Sequence, residues 1–177
     1  MEEEEEIKVI FLGESGVGKT CLINRYFFGK MGDSNPTISP SYNQKTIKLH
    51  EKNYKYTIWD TAGKELFRSL NKIFLNDSKI VVLVYDITDK NSFLNLQIWL
   101  DMVIEKLGAD IYLILVGNKS DLYMNKKIKQ AKGEEFPEII KARFIMTSAK
   151  DDYLQFNNFL EDAIGDYIKN YEIKKNW

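Results

Sequence analysis

The chain has one cysteine, Cys21, and one histidine, His50, among 177 residues. A single thiol excludes an internal disulfide and suits a reducing compartment. One Cys and one His are too few for a structural zinc site of such ligands, and they count against a Ser-His or Cys-His nucleophile. Carboxylates and hydroxyls remain as ligands for a hard metal. Ten Gly and three Pro are too few for a linker-rich or low-complexity chain. No charge sign dominates: 25 Lys/Arg stand against 26 Asp/Glu, a net of -1. No general attraction to nucleic acid or an anionic membrane is therefore encoded. No apolar run approaches the ~20 residues that span a bilayer, and the longest, Ile80–Tyr85 and Ile111–Val116, have the length of buried strands. No secretory signal opens the chain, so a cytoplasmic location is expected.

What is present is enough apolar residue, 44%, for the core of one domain. Glu2–Glu6 form a like-charge block that reads as a solvated, disordered end rather than an interaction tail. Short apolar runs then alternate with amphipathic stretches. Lys8–Leu12 predicts a strand, followed by a Gly-rich turn and a helix from Lys19 to about Phe28. Gln44–Leu49 and Tyr54–Trp59 predict two strands joined by a polar turn, His50–Asn53. A less regular helix is expected over Leu66–Leu75, and a central parallel strand over Ile80–Tyr85. Ser92 is expected to cap a helix of about fifteen residues carrying Phe93, Leu96, Leu100, Val103 and Leu107 on one face. Tyr112–Val116 reads as a strand, Lys127–Ile140 as a weaker helix interrupted by Pro137, and Arg143–Met146 as a last strand. Tyr153–Lys169 reads as a last helix, with Phe156, Phe159, Leu160, Ala163 and Tyr167 facing the core. This order predicts an α/β fold, a mostly parallel six-stranded sheet with one antiparallel strand and helices on both faces. In such sheets ligands bind at the carboxyl ends of the strands.

Each strand end carries polar residues with a plausible task. After the first comes Gly13-Glu14-Ser15-Gly16-Val17-Gly18-Lys19-Thr20, a full G-x-x-x-x-G-K-[ST] match. Its glycines let successive backbone N–H groups turn toward phosphate oxygens, and the helix N-terminus adds partial positive charge. Lys19 can reach the β- and γ-phosphates, and the Thr20 hydroxyl can ligate Mg²⁺. Asp60-Thr61-Ala62-Gly63 follows the third strand. Asp60 suits support of Mg²⁺ through water, and Gly63 offers an unhindered N–H to a terminal phosphate. Asn118-Lys119-Ser120-Asp121 follows the fifth. An aspartate accepts two hydrogen bonds from the N1–H and amine of guanine, a donor pair adenine lacks, and sites built this way reject the analogue by ~10⁴–10⁵. Lys119 can lay its stem along the base, and Asn118 can tie this loop to the phosphate loop. After the last strand, Thr147-Ser148-Ala149-Lys150 is small enough for the Ala149 N–H to approach the guanine carbonyl. Alone, each of the last three motifs is equally a polar turn; their places after successive strands favour the ligand reading.

These parts resemble the small GTPase superfamily over about residues 7–170, and within it the chain looks like a Rab. Trp59 before Asp60, Phe67-Arg68, the run Ile80–Asp86 with Ile87-Thr88-Asp89, and Ser92-Phe93 are Rab-like. Between Asn118 and Thr147 there is no room for the extra helix of Rho proteins. Glu2 is unlike the myristoylated start of Arf proteins, and the acidic C-terminus associated with Ran is lacking. The resemblance implies a small G-protein fold, a GTPase domain over residues 7–170 between an acidic start, 1–6, and an extension, 171–177. It implies binding of GTP and GDP with Mg²⁺ and a role as a switch in vesicle traffic. It assigns the nucleotide to residues 13–21 (Cys21 included), Thr37, Gly63, Asn118, Lys119, Asp121, Ser148, Ala149 and Lys150. It gives the metal Thr20 and Thr37, with Asp60 behind, and the chemistry Lys19, Thr37, Gly63 and Lys64. It places Tyr42, Trp59 and Phe74 in an aromatic triad that contacts effectors, with core packing of Trp59 and Phe74 as the alternative. An exchange factor, a GTPase-activating protein and effectors are the implied partners of a monomer.

Three departures stand out. Lys64 occupies the place where the family usually has Gln, whose amide accepts a hydrogen bond from the attacking water; lysine is donor-only. Slow intrinsic hydrolysis is expected, although Rab-activating proteins of the TBC class bring an Arg and a Gln in trans. Thr37-Ile38 is followed by Ser39-Pro40-Ser41-Tyr42 where Rabs usually show Gly, an aliphatic and an acidic residue before Phe. Pro40 fixes φ and stiffens this switch. The preceding loop is one residue short, and Met31 falls where an aromatic would brace the base. Lastly, no prenylatable Cys follows the last helix before Trp177. A chain cut before a lipidated tail is expected, so that membrane attachment would depend on that tail; the alternative is a protein acting without its own lipid. The readings outside the switch class are a hydrolysis-deficient scaffold that only binds nucleotide and, more remotely, an ATPase.

Overall fold

The computed structural model describes residues 6–32, 35–49, 51–64, 68–128 and 130–175. The strands are β1 Ile7–Leu12, β2 Ser41–Leu49, β3 Lys52–Asp60, β4 Ser78–Asp86, β5 Tyr112–Asn118 and β6 Arg143–Met146. They form one sheet in the order β2-β3-β1-β4-β5-β6. β2 pairs antiparallel with β3, whereas the β1–β3, β1–β4, β4–β5 and β5–β6 pairs are parallel. The α/β fold expected from the alternation of elements is therefore the one adopted. The helices are α1 Lys19–Phe28, α2 Arg68–Phe74, α3 Lys90–Leu94, α4 Leu96–Leu107, α5 Gln130–Ile139 and α6 Tyr153–Lys175.

Strand alternation divides the core between the two faces of the sheet. Val9, Phe11, Ile58, Val82, Val84, Ile114 and Val116 meet Leu22 and Tyr26 of α1 and Phe156, Leu160, Ala163 and Ile164 of α6. Ile10, Leu12, Val81, Leu83, Tyr85 and Leu115 meet Leu96, Trp99, Leu100 and Val103 of α4. Burial on both faces explains why β4 and β5 are continuous apolar runs rather than alternating ones.

Several expectations are corrected. The hairpin strands pair out to Leu49↔Lys52, so Lys52 and Asn53 belong to β3 and not to a turn. Backbone pairing continues past the apolar pattern, and Glu51 takes the left-handed φ, 67°, of a tight turn. Ser92 is not a helix cap. Asp89 is, in extended conformation, accepting the Asn91 N–H at 2.9 Å. Ser92 is instead buried, its hydroxyl accepting the Asp86 N–H at 3.0 Å and donating to the Asp89 carbonyl at 2.8 Å. The single helix expected there is two, α3 and α4, divided at Asn95. Pro137 does not interrupt α5: it lies in the last turn, and the Ala142 N–H closes on its carbonyl at 2.9 Å. α6 continues beyond Lys169 to Lys175. A 3₁₀ helix, Ser120–Asn125, follows β5 without having left any apolar period to predict it. The expectations for residues 1–5, His50, Phe67 and Trp177 fall outside the described residues. Among the described residues no helix is long and apolar enough to cross a membrane.

Candidate functional site

The carboxyl ends of β1, β3, β4, β5 and β6 lie along one edge of the sheet, because these strands run parallel. The loop 13–18 leaves β1 and enters α1 there. Gly18 is the left-handed cap of α1, with φ 99°; a Cβ on it would lie 2.2 Å from Asn118 Nδ2. Gly63 comes as close on the other side, where a Cβ would lie 2.4 Å from the Ser15 nitrogen. Glycine is required at 18 by its φ and at 63 by the approach of two backbones, so the phosphate loop is bounded by the end of β3 and by the Asn118 side chain at the end of β5. Lys19 is 5% exposed, and its ammonium donates to the Gly13 and Glu14 carbonyls at 2.8 and 2.9 Å. Burial lowers its pKa to about 8, against the upward pull of Asp60 and Glu14. A cation so desolvated is stabilised by an incoming anion. Cys21, half-buried, follows Thr20 in the first turn of α1, and burial pushes its thiol pKa up.

Behind the loop three oxygen-bearing side chains converge. Thr20 Oγ1 donates to Asp60 Oδ2 at 2.6 Å and lies 2.7 Å from Thr37 Oγ1. Asp60 is buried, which raises its pKa, while Thr20, Lys19 and Thr37 pull it back. Its other oxygen, Oδ1, has no hydrogen-bond partner among the described residues. A buried carboxylate oxygen without a partner, next to two hydroxyls, is a donor set of hard oxygens, and it fits Mg²⁺.

On the base side Asn118 is the hub. Its Nδ2 donates to the Val17 carbonyl at 2.8 Å, and its Oδ1 accepts the Ala149 N–H at 3.2 Å. Asp121 Oδ1 accepts the Ser148 hydroxyl at 2.6 Å, leaving Oδ2 for a ligand. Ser148 Oγ also accepts the N–H groups of Lys150 and Asp151 at 3.1 Å, so it fixes that loop as well. Lys119 takes a left-handed conformation, φ 68°, and its ammonium lies 2.7 Å from Asp86 Oδ2.

Asp86 escaped sequence reasoning, and so did the side-chain role of Glu14, which the sequence placed only among the nucleotide-binding residues of the phosphate loop. Asp86 ends β4, is buried, and accepts the Thr88 N–H and hydroxyl at 2.8 and 2.7 Å in addition to Lys119. Its signal was a carboxylate directly after the apolar run Ile80–Tyr85, which must find partners if buried. The Glu14 carboxylate, in the phosphate loop itself, accepts Arg68 of α2 at 2.6 Å and the Trp99 indole of α4 at 2.9 Å. Only its backbone faces Lys19. Glu14, Ser15, Gly63, Lys64, Asp89 and Asn95 line a cleft of about 360 Å³ beside these groups. Lys64 is exposed at its rim.

Away from this edge, Tyr42 stacks on Trp59 at 4.8 Å between ring centres, and Trp59 meets Phe74 at 5.8 Å. Trp59 and Phe74 also pack partly against the core, whereas Tyr42 is 56% exposed, and Ile38 in the loop before it and Ile73 next to Phe74 are exposed too. The core packing given as the alternative for Trp59 and Phe74 is thus partly realised. Met31 offers its carbonyl to Asn24 at 3.2 Å. A model of the Ras family matches residues 8–168, a span that holds all five strand ends. The chain belongs to the Ras family, small GTPases that bind GTP and GDP with Mg²⁺ and act as nucleotide-controlled switches.

Proposed function

We propose that this chain is a Rab-like switch of vesicle traffic whose intrinsic GTP hydrolysis is slow. The observation that carries the nucleotide site is the double hydrogen bond of Asn118, which joins the phosphate loop at Val17 to the base loop at Ala149. A nucleotide suits a site of two joined loops, its phosphate tail at one and its base at the other. Residues 13–18 and Lys19 hold the phosphates, and Asp121, Lys119 and the Ala149 N–H hold guanine. Thr20 and Thr37 hold Mg²⁺, with Asp60 behind. The metal, when bound, neutralises charge on the β- and γ-phosphates.

The chain's own residues set the hydrolysis rate. Attack by water relies on the Thr37 carbonyl and the Gly63 N–H, while Lys64 can donate to the γ-phosphate and cannot accept from water. Its charge stabilises bound GTP in the ground state, which leaves the barrier where it was. GTP orders the loops around Thr37 and Gly63, and hydrolysis releases them. The stacked Tyr42, Trp59 and Phe74 support a face on which effectors read that change, with Pro40 narrowing the set recognised. A monomer in the cytoplasm, reaching membranes through a lipidated tail, is the setting proposed. The rival reading, a scaffold with negligible turnover, is favoured by Lys64 alone.

Two measurements test the switch. The nucleotide extracted from purified protein is expected to be GDP or GTP, with a phosphate-release time course that is slow and finite. No release over hours selects the scaffold. Chelating Mg²⁺ with EDTA is expected to speed GDP release about tenfold, as the loss of ~1.4 kcal/mol of phosphate stabilisation would do. Release unchanged by EDTA rejects the assignment of Thr20, Thr37 and Asp60.

A further inference from the structure

Arg25 makes an extended set of contacts on the base side. It lies in the last turn of α1, the helix whose first turn carries Lys19 and Thr20. Its guanidinium reaches three backbone carbonyls. Nε donates to Ala149 at 2.8 Å, Nη2 to Lys150 at 3.2 Å, and Nη1 to Gly29, the cap of its own helix, at 2.8 Å. The face of the group lies 4.6 Å from the ring centre of Tyr153, at the start of α6. A planar fork with five donors is the side chain that can satisfy carbonyls diverging in this way while stacking on an aromatic. The two loop carbonyls it holds, Ala149 and Lys150, directly follow the peptide N–H assigned to the guanine oxygen. Nothing else on α1 reaches this loop by a side-chain hydrogen bond among those described.

We propose that Arg25 is a positioning residue for guanine recognition, locking the 149–150 loop to α1 so that the Ala149 N–H, which also meets Asn118 Oδ1 at a long 3.2 Å, is held where O6 of the base shares it. The inference rests on the guanine-site reading above and adds a specificity-determining residue to it. One helix then sets both ends of the ligand: its first turn fixes the phosphates, and its last turn fixes the loop over the base.

The test compares release of GDP with release of 6-thioguanosine diphosphate from the Mg²⁺-loaded full chain. Sulfur accepts hydrogen bonds weakly, so this analogue keeps the donors read by Asp121 and loses most of the contact read by Ala149. Arg25→Met is expected to speed GDP release about tenfold, the loss of roughly one charge-assisted hydrogen bond, and release of the thio analogue less than threefold. Arg25→Lys, which keeps the charge on a single donor nitrogen and loses the planar fork, serves if Arg25→Met does not fold, and is expected to speed GDP release about threefold with the same dependence on O6. GDP release within twofold of wild type, or equal acceleration of both nucleotides, overturns the assignment, the latter because a merely structural role would not distinguish them. Wild-type protein that retains neither nucleotide overturns the guanine site itself, and Arg25's role falls with it.

Discussion

Asp121→Asn is expected to lower affinity for GDP by about a thousandfold while raising affinity for the xanthine nucleotide. The carboxylate would accept the N1–H and the exocyclic amine of guanine, and hydrogen bonds to a charged acceptor contribute roughly 1.5–3 kcal/mol each. An amide removes the charge from both and sets its own N–H against the amine, so about 4 kcal/mol, or three orders of magnitude, is at stake. The neighbouring contact decides which way the amide faces. The Ser148 hydroxyl bonds Asp121 Oδ1 at 2.6 Å, so Asn keeps its oxygen there and presents Nδ2 to the ligand. Xanthine carries a carbonyl where guanine has the amine and can accept that N–H. Asp121 is exposed and the change is isosteric, so the melting temperature should hold. Equilibrium binding of GDP and xanthosine diphosphate to both proteins reads the result; an unchanged preference means that Asp121 does not read the base.

Lys64→Gln is expected to raise the single-turnover rate of GTP hydrolysis about a hundredfold, the lower end of the range for a positioned proton-accepting group. The change leaves GDP affinity alone, because Lys64 lies at the rim of the cleft and not among the groups that hold the diphosphate. Glutamine restores an acceptor for the attacking water and keeps a donor for the γ-phosphate. The gain belongs to the transition state, so it appears in the rate and not in binding. Addition of an activating protein that supplies its own Arg and Gln should narrow the gap between the two proteins. Identical intrinsic rates would show that Lys64 is a silent surface residue.

The sequence exposed the site more fully than it exposed the contacts that brace it. Residues 13–20 and 118–121 were legible because each motif follows an apolar run, and strand ends in an alternating fold fall on one edge. The Asp86–Lys119 pair was hidden, since Asp86 ends β4 and Lys119 follows the end of β5, and they meet only through the β4–β5 pairing that sets Asp86 beside Asn118. Glu14, Arg68 and Trp99 come together across three elements by the same kind of long-range packing. Asp89 and Ser92 are both good caps by type; the choice between them was made by burial of Ser92 under the end of β4. The hairpin ends and the tail of α6 ran past their apolar patterns because backbone hydrogen bonding does not need an apolar face.

The most direct measurement is calorimetric titration of nucleotide-stripped protein with GDP and with ADP in Mg²⁺. A carboxylate facing the N1–H and amine of guanine would face adenine unpaired, so GDP should bind at least ~10⁴-fold more tightly. Equal affinity for the two purines, or binding of neither, would contradict the account.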